Sequence, residues 1–242
     1  RSPDLLFNSL VFMAFLAVVL LVYPRLRHRR QNWFLLVASY VFYGYWDWRF
    51  LSLLAVSTLT DFVVGRRLHA TADVGLRKRL LAVSVCVNLG LLGFFKYFNF
   101  ATDNYNAVVD LLGVPGLSLD LALRITLPLG ISFYTFQSMS YTLDVYRGKA
   151  RAIRNIIDFA CYVSMFPQLV AGPVVRFSEV ADQLLRRSHT FGKFSRGVAF
   201  FALGLGKKIV FANGCGKVAD LAFDAGSLGV LDAWYGVVAY AF

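Results

Sequence analysis

The segment FPQLVAGPVVR, residues 166–176, is largely apolar, yet it is interrupted by two prolines and a glycine and closed by an arginine. No straight helix accommodates it. Pro167 and Pro173 each lack the backbone donor that a helix interior needs and clash with the preceding turn. Gly172 admits backbone angles closed to other residues and is restrained by the proline after it. In hydrocarbon, a non-helical backbone survives only where protein or a water-filled cavity satisfies its polar groups. The segment is therefore expected to be a broken or re-entrant helix, with its break around Gly172 and Pro173, lining an internal site.

Its flanks sharpen that expectation. Arg147, Lys149, Arg151 and Arg154 precede the apolar residues, and Arg186, Arg187, Lys193 and Arg196 follow them. Basic clusters mark the cytoplasmic side of membrane proteins, so two successive basic flanks around one apolar stretch contradict a single crossing. A segment that enters and leaves on the same side resolves the conflict.

The whole chain reads the same way. Of its 242 residues, 58% are hydrophobic and 16% charged. The apolar residues fall in long blocks separated by basic clusters, the pattern of an all-α polytopic membrane protein rather than a soluble domain. The net charge of +11 would suit nucleic acid in a soluble protein. Here the basic residues lie between spans rather than on one polar face, so no nucleic-acid partner is expected. Cys86, Cys161 and Cys215 lie far apart without metal-ligand spacing and read as small buried side chains; no metal is expected.

Working outward, residues 5–23 make a first span, followed by Arg25, Arg27, Arg29 and Arg30. Residues 33–46 return, and Tyr40, Phe42, Tyr43, Tyr45, Trp46 and Trp48 form an interfacial aromatic belt. Residues 50–64 are a short third block whose Asp61 is expected to pair with Arg66 or Arg67 near the interface, in preference to the alternative of a buried functional role. Residues 80–98 are a fourth span in which Lys96 snorkels, followed by a short interfacial helix at 105–112 that breaks at GVPG, 113–116. In the fifth segment, residues 125–143, Pro128 and Gly130 predict a kink or a short non-helical start. Residues 177–185 are amphipathic, 194–212 are glycine-interrupted with Lys207 and Lys208 in the second half, 213–224 read as a connector, and another span begins at 234. Residues 1–242 are thus read as part of a single transmembrane domain, cut inside a helix at its C-terminal end.

The hydroxyls and Gln137 of the fifth segment suggest helix-to-helix hydrogen bonds or a polar cavity. Tyr134, Gln137 and Tyr141 share one helical face, which either packs against neighbouring helices or offers donors to a substrate. Arg147 and Arg176 sit at segment ends, where a guanidinium either holds a phosphate or carboxylate or anchors to lipid headgroups.

YVFYGYW (40–46), FFKYFNF (94–100), LPLGISFYTFQSMSYTLDVYRG (127–148) and FPQLVAGPVVRF (166–177) together resemble the membrane-bound O-acyltransferases. The likeness is to the bacterial alginate O-acetyltransferase branch and, more distantly, to the D-alanyl transferase of teichoic acid synthesis. The resemblance implies a helical bundle with a central funnel in the bacterial inner membrane. There an acyl group, acetyl in this branch, passes from a cytoplasmic-side donor to hydroxyls of an extracytoplasmic polysaccharide such as alginate. It implies acetyl-CoA or an acyl carrier protein as co-substrate, no tightly bound cofactor, lipid contact and periplasmic acetylation partners. Tyr134, Gln137, Tyr141, Arg147, Pro167, Gln168, Gly172, Pro173 and Arg176 are the candidates for the funnel wall. The family's catalytic histidine lies in an apolar helix within a glycine- and tryptophan-containing motif that this sequence lacks. His28 and His69 fall in basic loops and His189 beside the amphipathic segment, so no catalytic residue is assigned and this chain alone is expected to be inactive. A membrane transporter and a non-catalytic scaffold for a periplasmic acyltransferase are the rival readings.

Overall fold

The computed structural model describes residues 9–114, 119, 124–169, 172, 175–185 and 187–241. Pro173, Arg186 and the second half of the GVPG break lie outside them. Among the described residues every regular element is a helix and there is no strand. Hydrocarbon imposes this, because a helix satisfies its backbone groups within itself. Three helical stretches, His28–Ala70, Val74–Leu111 and Phe191–Asp224, are long and apolar enough to cross a membrane. The chain is an all-α polytopic membrane protein, and it divides into two units, Arg1–Arg187 and Ser188–Phe242.

The first unit holds α1 (Leu10–Val22), α2 (His28–Asp47), α3 (Leu51–Ala70), α4 (Val74–Leu111), α5 (Ile131–Tyr146), α6 (Ile156–Ser164), α7 (Phe166–Leu169) and α8 (Phe177–Leu185). Polar side chains start several of them. Ser9 caps α1 by accepting the Phe12 amide, Asp73 caps α4 by accepting the Gly75 and Leu76 amides, and Asn155 caps α6 by accepting the Ile157 amide. The C-terminal carbonyls of α3 and α5 find a shared donor: Arg77, in the first turn of α4, donates to the Leu68 carbonyl and, at 2.7 Å, to that of Tyr146. A cation there also meets the negative ends of two helix dipoles. The contact fixes the ends of α3 and α5 beside the start of α4, at the end of the bundle where the basic loops gather.

Two elements are longer than the sequence suggests. Helix α3 runs 20 residues to Ala70 rather than stopping at Val64. Helix α4 runs 38 residues, about 57 Å at 1.5 Å per residue, and absorbs both the fourth span and the separate interfacial helix. The polar residues between them do not break it. Thr102 and Asn104 turn their side chains back onto the carbonyls of Phe98 and Phe100, at 2.9 and 2.7 Å. The first true stop is Gly113, in the left-handed region at φ 69°. Asn99 then grips the returning chain, exchanging hydrogen bonds of 2.7 and 3.0 Å with the backbone of Ile125. The expected non-helical start of the fifth segment is present: α5 begins only at Ile131, after Gly130 at φ 71°.

In the second unit, α9 (Phe191–Lys207) passes through a π-helical turn at Lys208–Ala212 into α10 (Asn213–Asp224), and α11 (Val230–Ala241) follows. Residues 213–224 are therefore helix, not a connector. A π turn lets the helix continue past Lys207 and Lys208 without a break. Helices α10 and α11 approach closely at Gly236, where a Cβ would overlap that of Ala222, and Phe223 meets Tyr240 edge-on at 5.8 Å.

Candidate functional site

The broken segment forms a hairpin. Helix α6 has nine residues, about 13 Å, too short to cross a hydrocarbon core of about 30 Å. It ends at Ser164, α7 makes one turn, and the next helix among the described residues is α8 from Phe177. Both arms end at the same place. The Asn32 amide donates to Asp158 Oδ1 at 2.7 Å, in the first turn of α6, and to the Leu184 carbonyl at 3.2 Å, in the last turn of α8. His28 adds a second tie, Nε2 to the Leu184 carbonyl at 2.9 Å. The segment therefore enters and leaves at the basic end of the bundle, as its flanks predict.

The apex reaches to the N-terminus of α5. The Leu169 carbonyl lies where a Cβ on Gly130 would stand, so the absence of that carbon permits the approach. Because α5 is 16 residues long, the apex sits about 24 Å from the basic end. Freed backbone groups are satisfied locally: the Phe166 amide donates to Ser39 Oγ at 3.1 Å, and the Gly172 amide to the Gln168 carbonyl at 3.0 Å. Gly172 is itself packed so closely that a Cβ would stand 2.6 Å from Gln168 Cα. Phe166 closes the apex laterally against Phe15 and Phe42, with ring centres 5.1 and 5.7 Å away.

Beside the hairpin, α3, α4 and α5 meet along a polar seam. Each supplies residues four apart, hence on one face: Ser57 and Asp61, Ser84 and Asn88, Ser138 and Thr142. All six are buried. Asp61 is the hub and is fully enclosed. It accepts from Ser84 Oγ at 2.5 Å, from the Asn88 amide at 2.8 Å, and from Ser138 Oγ. Ser57 donates to Asn88 Oδ1 at 2.6 Å, and Ser84 and Thr142 hydroxyls lie 3.1 Å apart. The expectation that Asp61 pairs with Arg66 or Arg67 is overturned. Because α3 continues to Ala70, Asp61 lies about 13 Å inside the helix end, and Arg66 and Arg67 point outward.

The funnel candidates separate into two groups. Tyr134, Gln137 and Tyr141 do share a buried face of α5. Two of them bind protein groups: Gln137 donates to the Tyr162 carbonyl at 2.6 Å, and the Tyr141 hydroxyl accepts the Ile153 amide at 3.2 Å while its ring covers Gly65. The hydroxyls of Tyr134 and Tyr43 are buried without a hydrogen-bond partner among the described residues. Arg147, Pro167 and Arg176 are exposed, and Gln168 and Gly172 are half-buried; Pro173 lies outside the described residues. Of the histidines, His69 and His189 are exposed and His28 is engaged as above. At the basic end, Arg25, Leu26, Arg27 and Arg30 line a concavity of about 440 Å³. No group of three or more His, Cys, Asp or Glu residues that could hold a metal occurs among the described residues.

Fold and interior thus define a polytopic helical membrane protein with a re-entrant hairpin against a polar three-helix seam. No family model matches the chain, and no solved structure matches it. Its sequence, however, is similar to that of curated proteins over nearly its whole length. It is 43% identical to the Probable alginate O-acetylase AlgI of Pseudomonas putida over 98% of this chain and 48% of that protein. It is 42% identical to the protein of the same name from Azotobacter vinelandii over 98% and 47%. It is 32% identical to the Peptidoglycan O-acetyltransferase of Helicobacter pylori over 98% and 50%. The resemblance carried by the four motifs is borne out, and the chain spans about half the length of the curated relatives it matches.

Proposed function

We propose that this chain is part of a membrane-bound O-acyltransferase that moves an acetyl group from a cytoplasmic-side donor to hydroxyls of an extracytoplasmic polysaccharide such as alginate. The observation that carries the reading is its similarity, over 98% of its length, to proteins named as O-acetylases of alginate and of peptidoglycan. Transfer to a hydroxyl needs a base within hydrogen-bond reach and donors for the developing oxyanion. In the first unit His28 is engaged by the Leu184 carbonyl and His69 is exposed, and in this reading the base is supplied by sequence outside this chain. In this reading, the hairpin is a wall of the path between donor and acceptor.

The basic end of the bundle then faces the cytoplasm of a bacterial inner membrane. Its arginines suit the phosphates of acetyl-CoA or the acidic surface of an acyl carrier protein. Periplasmic proteins would complete acetylation on the far side. The test is genetic and chemical. In an alginate-producing bacterium deleted for its own O-acetylase, the gene for the natural full-length protein should restore acetyl esters on the exported polymer, measured by proton NMR. Polymer that stays unacetylated while the protein is present in the membrane refutes the assignment.

A further inference from the structure

The loop between α1 and α2 gathers positive charge that no described residue answers. Arg25, Arg27, Arg29 and Arg30 lie close together in sequence, and the ion pairs among the described residues, Arg49 with Asp47 and Arg124 with Asp103, are elsewhere. Arg25 turns back onto the Leu21 carbonyl at the end of α1. The side chains of Arg27, Arg29 and Arg30 have no hydrogen-bonded or charged partner among the described residues. Arg25, Arg27 and Arg30, with Leu26, line the concavity of about 440 Å³. The loop is held in shape from behind: Gln31 donates to the Tyr23 carbonyl at 3.2 Å and Arg187 to the Tyr23 hydroxyl at 3.1 Å. Helix α2 starts here with neither an acidic residue in its first turn nor a side-chain cap, so its dipole adds to the positive potential.

Arg30 also heads an apolar stripe. Trp33, Val37 and Val41 follow it at spacings of three and four, so all four share one face of α2, and all four are exposed. The packed face is another one: Ala38 and Phe42 are buried with Phe12 and Val19 of α1. From Arg30 to Val41 the stripe runs about 16 Å at 1.5 Å per residue, close to half of a hydrocarbon core of about 30 Å. We propose that the concavity binds the phosphodiester headgroup of one anionic phospholipid, whose acyl chains lie along this stripe. Guanidinium groups hold phosphate oxygens in pairs. A soluble phosphate would satisfy the arginines alone; a stripe of one leaflet's depth beginning at Arg30 suits a ligand with tails. A zwitterionic headgroup carries its own cation, which the arginines repel, so a lipid with a net negative headgroup is selected.

The experiment is native mass spectrometry of the purified full-length protein, titrated in detergent micelles with equal amounts of dioleoyl phosphatidylglycerol and dioleoyl phosphatidylcholine. One phosphatidylglycerol should be retained in preference. Arg27→Gln with Arg30→Gln should weaken its binding about thirtyfold, the value of two arginines facing anionic lipid. Arg66→Gln with Arg67→Gln removes the same charge from exposed positions on α3 and should leave the binding unchanged. Glycerol 3-phosphate and acetyl-CoA, which offer phosphate without the two acyl chains, should not displace the lipid at equal concentration. Absence of a preference for phosphatidylglycerol overturns the proposal. Equal weakening by the two double substitutions also overturns it, because overall charge would then account for the binding. Displacement by glycerol 3-phosphate or acetyl-CoA does the same, because the concavity would then be a site for soluble phosphates.

Discussion

The polar seam of α3, α4 and α5 and the hairpin of α6 to α8 lie side by side in the first unit and are held by different means. In the seam, straight helices meet through side-chain hydrogen bonds centred on Asp61. In the hairpin, rings do most of the packing: Tyr141 lies 4.5 Å from Phe159 and 5.0 Å from Phe177, and Tyr162 lies 5.4 Å from Phe177. Polar contacts there concentrate where the helix is broken and where the arms end. The contrast follows from lipid as a solvent. Helices already satisfied along their backbones gain little by burying apolar faces against one another, so polar side chains fix which faces meet. A broken segment must instead be enclosed, and its few free backbone groups met one by one.

Breaking the seam should have the largest effect. Asp61→Leu removes the acceptor for Ser84, Asn88 and Ser138 at once and leaves buried donors unsatisfied. A loss of about 3–5 kcal/mol is expected, read as a lower unfolding midpoint in detergent and reduced protein in the membrane. Breaking the apex should come next. Gly130→Ala places a side chain at positive φ and against the Leu169 carbonyl, at an expected loss of about 2–3 kcal/mol. Faster hydrogen exchange confined to residues 155–185 would separate this effect from general unfolding. Asn32→Ala, which unties both arms without steric conflict, should cost about 1–2 kcal/mol and speed exchange at the arm ends rather than the apex.

These regions were not equally legible in the sequence. The hairpin could be read because proline, glycine and flanking charge act locally: Pro167, Gly172 and the arginines on either side exclude a single crossing whatever surrounds them. The seam could be read only in part: the hydroxyls of the fifth segment point to helix-to-helix hydrogen bonds, which Ser138 and Thr142 make, but not to their partners. Ser57 with Asp61, Ser84 with Asn88 and Ser138 with Thr142 each repeat at a spacing of four. That marks a polar face, but nothing in one helix says that its face meets the other two. Asp61 was misread for a related reason, since the basic residues from Arg66 onward suggest an interface, whereas packing carries α3 on to Ala70. The π turn at Lys208–Ala212 has no evident signal in the residues themselves.

The smallest effect expected is at Arg49, outside both regions, and it asks whether a well-formed ion pair matters where water reaches it. Arg49 grips Asp47 with Nε at 3.0 Å and Nη2 at 2.7 Å, a two-pronged contact. Its side chain is nonetheless 69% exposed, and solvent screening removes most of the value of such a pair. Asp47 has a second task that Arg49 does not share: its Oδ1 accepts the Arg49 backbone amide at 3.0 Å, capping the turn between α2 and α3. Arg49→Ala keeps that amide, so the unfolding midpoint should not move. Asp47→Ala loses the cap and should cost about 1 kcal/mol. Equal effects from the two substitutions would show instead that the ion pair, and not the backbone cap, sets the turn that brings α3 back beside α2.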